Sequence, residues 1–78
     1  MPKGLKNWNY RDVTTFLKEK GFIFFEQKQG SHEAWISQDS RCVVEINYTK
    51  KSYPPRTLET MIRQSDIAKK EWHNWTKR

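Results

Sequence analysis

The 78-residue chain has a single cysteine, Cys42, so no disulfide forms within it and its stability must come from packing. Histidine is almost as scarce: His32 and His73 are the only two, and with Cys42 they make no metal-binding spacing. No metal or cofactor is expected, and a reducing cytoplasm is the expected compartment. Long apolar runs are missing too. Nothing approaches the ~20 residues that span a bilayer, and "MPKGLKNWNY" lacks the apolar centre of a signal peptide, so no membrane association is expected. Glycine occurs three times and never in a cluster, which excludes a glycine-rich phosphate loop. The length allows one domain, because a unit this small buries only about 60% of its unfolded surface. It has room for one small core and a shallow surface site.

What is abundant is positive charge and aromatic rings. Lysine and arginine number 15 against nine acidic residues, a net charge of +6, beside four Trp, four Phe and three Tyr. This composition suits a polyanion, since phosphates reward positive charge and bases stack on exposed rings. The competing reading is a solvated basic surface around an aromatic core.

Asn9 and Asp12 can cap a helix whose apolar positions are Tyr10, Val13, Phe16 and Leu17, and Gly21 offers a stop. Residues 10–20 therefore read as an amphipathic helix with Arg11, Lys18 and Glu19 outside. "FIFFEQK" and "HEAWIS" read as strands joined by the turn "QKQGS", with His32 opening the second. After the turn "QDSR", "CVVEINY" puts Cys42, Val44 and Ile46 on one face and Val43, Glu45 and Asn47 on the other. "TKKSYPPR" is a loop, and Pro55 or Arg56 opens a helix with Leu58, Met61, Ile62 and Ser65 inside. Ala68, Trp72 and Trp75 suggest a short final helix. The expected fold is α+β: an α-β-β-β-α core over about 9–67, with helices on one face of a three-stranded antiparallel sheet, and a helical tail over 68–78.

Three segments carry a resemblance to a known family. "RDVTTFLKEKGF", "QGSHEAW" and "RTLETMIRQSDI" resemble the first helix, the Gly-Ser-His signature and the second helix of the HicA toxin family, the ribonuclease partners of HicB antitoxins in type II toxin–antitoxin systems. The resemblance implies a fold like that of double-stranded-RNA-binding domains, metal-independent cleavage of messenger RNA, and inhibition by a HicB-like antitoxin that covers the site. Gly30, Ser31 and His32 fall on the signature, with His32 in the place of the catalytic histidine. Two stretches depart from the family's pattern: the hairpin "FEQKQGSH" is one residue longer, and "EINYTKKSYPP" stands where many members have a proline and a second histidine.

Metal-free RNA cleavage needs a group that takes the 2′-hydroxyl proton as that oxygen attacks phosphorus, and imidazole titrates in the right range. His32 is accordingly the candidate general base; its plainer reading is a polar residue at a strand start. The family resemblance favours the first. Lys28, Lys50 and Lys51 are candidates to neutralise the phosphorane. Lys28, Lys50, Lys51, Arg56 and Arg63 form either a phosphate-binding surface or a solvated face. Ser31 neighbours His32 on a strand and so points away from it; a turn hydrogen bond or a phosphate contact suits it better than a nucleophilic role. Gly30 suits a turn with positive φ. Tyr48 is a geometric guess for the general acid. Trp35 and Tyr53 are candidate stacking rings, with a core role open for Trp35. Trp72 and Trp75 fit packing of the tail better than partner binding, and His73 a surface position. Cys42 reads as a buried small hydrophobe. A non-catalytic RNA-binding module of the same fold, or a subunit whose basic face meets an acidic protein, remains an alternative.

Overall fold

The computed structural model describes residues 7–39 and 41–75. Its elements are α1 (Tyr10–Glu19), β1 (Phe22–Gln27), β2 (His32–Ser37), β3 (Val43–Asn47), α2 (Pro55–Ser65) and α3 (Lys69–Trp75). The expected α-β-β-β-α layout with a short C-terminal helix is what forms.

Each boundary has a local cause. The Asn9 side chain accepts from the Asp12 N–H at 2.9 Å while Asp12 accepts from the Asn9 N–H at 3.1 Å, so two orphan donors of α1 are satisfied reciprocally. Lys20 caps the other end, and Gly21 then turns the chain at φ 91°, a conformation that costs other residues a clash at Cβ. Pro55 starts α2, where a missing N–H costs nothing, and Asp66 in the left-handed region at φ 59° ends it.

The strands pair antiparallel in the order β1-β2-β3. Trp35, Val44 and Ile46 turn inward with Phe22 and meet Val13, Phe16 and Leu17 of α1 and Leu58, Met61 and Ile62 of α2. The stripe expected for α2, including Ser65, is buried in full. Strand alternation puts the other set on the opposite face: Ile23, Ile36 and Val43 in one row, Glu26, Ala34 and Glu45 in the next, His32 and Asn47 in the last. Between Phe24 and Glu26 the register shifts at a bulge, which leaves Phe25 as the extra residue.

Several expectations are corrected. The core reaches beyond 9–67, because Trp8 and Trp72 are fully buried against Phe16 and each other, with Trp75 beside them. Ala68 lies outside α3 and is exposed; Asp66 redirects the chain, and Ile67 packs on the core instead. Cys42 is only half-buried, since it precedes β3 in the turn that Arg41 makes at φ 60°. Trp35 and Tyr53 are not stacking surfaces: they are 5% and 2% exposed. Trp35 donates its indole N–H to Glu33 at 3.0 Å, and Tyr53 donates its hydroxyl to the Asn47 carbonyl at 2.6 Å.

Among the described residues no helix is long and apolar enough to cross a membrane.

Candidate functional site

The β1–β2 hairpin sets the position of His32. The His32 carbonyl accepts from the Lys28 N–H at 2.9 Å and from the Gln27 side-chain amide at 3.2 Å, which closes the turn. Gly30, at φ 70°, lies so close to the imidazole that a Cβ there would meet His32 Cδ2 at 3.7 Å. The turn conformation read for Gly30 is thus present. Ser31 is half-buried, and its carbonyl accepts from the Tyr48 N–H at 3.0 Å, which ties the hairpin to the end of β3.

His32 is exposed and lines two adjoining grooves. One, of about 330 Å³, runs along the β3 edge and is lined by His32, Glu45 and Asn47 from the sheet and by Arg56, Thr57 and Gln64 among others from α2. The second, of about 370 Å³, lies toward the hairpin between Lys28, Gln29, His32 and Glu45. Register explains the grouping: His32 faces Asn47 across the strands, and Glu45 is one same-face position further along β3. Lys28 Nζ reaches back over the sheet to Glu45 Oε2 at 3.1 Å. Gln64 accepts the outward Glu45 N–H at 3.1 Å, and Tyr53 covers the Asn47 carbonyl, so the β3 edge is capped by side chains.

On the other face of the sheet, beneath the site, lies a polar network. Glu33 accepts from the Tyr10 hydroxyl at 2.8 Å as well as from Trp35. Burial, reinforced by the Glu33 hydrogen bond and charge, pushes the Tyr10 hydroxyl up to about 12. Burial, with the charges of Tyr10 and Glu33 adding to it, does the same to Tyr53, also to about 12. The network ties β2 to α1, Tyr53 ties the β3–α2 loop to the end of β3, and the two tyrosine hydroxyls stay protonated in the neutral range.

Of the residues singled out from sequence, Lys28, His32 and Arg56 come together around the grooves, with Gly30 against the imidazole. Lys50 and Lys51 are exposed in the loop after β3, and Arg63 is exposed near the end of α2; none of the three lines either groove. Tyr48 is exposed, its hydroxyl oxygen accepts from the Gln27 side-chain amide at 3.4 Å, and it does not line the grooves. Glu45, Asn47, Thr57, Thr60 and Gln64 were not among the candidates. Glu45 and Asn47 had a signal, because they share the polar side of β3 and a meander puts that side level with the start of β2. The α2 residues had none, since their place depends on how the helix crosses the sheet. Among the described residues no three His, Cys, Asp or Glu side chains gather into a metal-ion site.

Compared with models of known protein families and with curated proteins, the chain matches none.

Proposed function

We propose that this chain is the toxin of a type II toxin–antitoxin pair: an endoribonuclease that cleaves messenger RNA without a metal ion, acts in the cytoplasm, and is held in check by a HicB-like antitoxin. One observation carries the reading. His32, the histidine of the Gly-Ser-His sequence, is exposed at the meeting of two grooves with Lys28 on one side and Arg56 on the other. A phosphodiester laid against His32 would have an imidazole beside the oxygens that exchange protons and a cation within reach of the phosphoryl oxygens, both of which serve metal-free transesterification. His32 is a proton-transfer group, and the family resemblance with the chemistry of imidazole suggests the role of base.

Substrate contact is dominated by charge. Lys28 and Arg56 bind the backbone and carry little sequence information. An antitoxin that covers the grooves must displace RNA from these cations, so its complex should protect RNA from cleavage.

Transesterification leaves a 2′,3′-cyclic phosphate and a 5′-hydroxyl. End-group analysis of cleaved RNA by mass spectrometry is therefore expected to show both, and a 3′-hydroxyl with a 5′-phosphate would refute the mechanism. The alternative of a non-catalytic RNA-binding module rests on the same two cations. It differs in one outcome: RNA bound in the grooves comes off intact.

A further inference from the structure

Cleavage by transesterification needs two proton transfers, one from the 2′-oxygen and one to the departing 5′-oxygen. Sequence supplied one group, His32, and left its partner open. Both grooves that contain His32 also contain Glu45. We propose that Glu45 is the second catalytic residue: its carboxylate takes the 2′-hydroxyl proton, and His32 as imidazolium delivers a proton to the 5′-oxygen. This rests on the ribonuclease reading and reverses the role that His32 receives when it is considered alone.

Three observations assign the roles this way. Glu45 lies one same-face step from the residue paired with His32, so the two side chains flank a gap of roughly 7–8 Å at their backbones, the width of a bound phosphate. Glu45 is salt-bridged to Lys28 at 3.1 Å, and a carboxylate in that state accepts a proton but has none to give. The charged groups around the pair are Lys28 from the hairpin, Arg56 from α2 and, two strands away in the same row as Glu45, Glu26 of β1. Lys28 and Arg56 offer positive charge to the phosphoryl oxygens, which leaves His32 and Glu45 as the pair that exchanges protons with the substrate.

The step balances. The 2′-oxygen gives its proton to Glu45 and forms the bond to phosphorus, the bond from phosphorus to the 5′-oxygen breaks, and that oxygen takes the proton of His32. Lys28, freed as Glu45 is neutralised, faces the phosphoryl oxygens at the moment their charge grows. Solvent then resets both groups.

The test compares wild type, E45Q, H32A and K28A on a single-stranded RNA dinucleotide step, with and without sulfur in place of the bridging 5′-oxygen. Thiolate leaves without a proton, so it replaces the acid but not the base. Wild type should give a bell-shaped pH–rate profile. E45Q should lose its ascending limb and about 10²–10⁴-fold in kcat with both substrates. H32A should lose the descending limb and recover to within about tenfold of wild type on the sulfur substrate. K28A breaks the same salt bridge while leaving the carboxylate; it should be slower yet keep the bell, and circular dichroism should show all variants folded. E45Q within about threefold of wild type, E45Q rescued by sulfur, or K28A losing the bell as E45Q does would each overturn the assignment. Wild type that does not cleave in chelator would overturn the ribonuclease reading and this one together.

Discussion

Replacing Trp72 tests whether the C-terminal helix belongs to the core or merely follows it. Trp72 is fully buried, with ring centroids 4.4 Å from Phe16 and 5.5 Å from Trp8. Truncating a buried tryptophan to alanine costs about 3–5 kcal/mol, and the two ring partners place W72A in the upper half of that range. A domain of this length has about 4–12 kcal/mol in total, so W72A should lower the melting temperature by ~15 °C or more, or unfold the chain outright. W72F should behave differently. The indole N–H of Trp72 is buried without a hydrogen-bond partner, a cost of about 1–3 kcal/mol that phenylalanine removes. Phenylalanine also gives up roughly 1–2 kcal/mol of apolar burial, so W72F should fall within about 1 kcal/mol of wild type. Urea denaturation followed by circular dichroism measures both without relying on tryptophan emission. A loss under about 1 kcal/mol in W72A would place the tail outside the cooperative core, and equal damage by both variants would refute the cost assigned to the lone N–H.

Two further outcomes follow from the polar network and the grooves. In the unfolded chain Tyr10 and Tyr53 release their protons near pH 10, whereas the folded protein holds them to about 12, so stability is complete below pH 10 and declines as pH rises from 10 to 12. For Tyr53, which is nearly inaccessible, the full effect is on the order of 2 kcal/mol, and Y53F should flatten that decline in melts recorded between pH 9 and 12. For RNA binding, K28A and R56A should each reduce the steepness of log affinity against log salt by about 0.7, as for one phosphate contact to a single strand, while R63A should leave the slope unchanged. Equal slope changes for all three would mean that the whole basic surface, rather than the His32 grooves, holds the RNA.

The elements were legible because each rests on a local rule. The Asn9 and Asp12 cap, the α2 stripe of Leu58, Met61, Ile62 and Ser65, and the alternation in β3 all follow from spacing, and each forms as read. What spacing does not carry is which rings meet across the molecule. Trp8 stands before the first cap and belongs to no periodic pattern, yet it lies between Phe16, Trp72 and Trp75, and its carbonyl accepts from the Tyr53 N–H at 2.8 Å. Tyr53 reads as an exposed loop ring for the same reason: its burial comes from that long-range contact. The surface is the mirror case. Phe24 and Phe25 stand 48% and 56% exposed in an apolar strand because β1 is an edge strand with a bulge, so part of its surface has nothing above it. The site divides along the same line. Gly30 and His32 are neighbours in sequence and could be named from it, whereas Glu45 and Arg56 join them only through strand register and the seating of α2.

The central claim is that His32 makes this fold a ribonuclease. Its most direct test is cleavage of a labelled mixed-sequence RNA by purified wild type and by H32A, in excess chelator, with RNA affinity measured on the same preparations. Cleavage by wild type that resists chelator and disappears in H32A while affinity persists is the expected result. Equal affinity with no cleavage by either protein would contradict the claim and make the chain an RNA-binding module whose histidine is one more residue at the start of a strand.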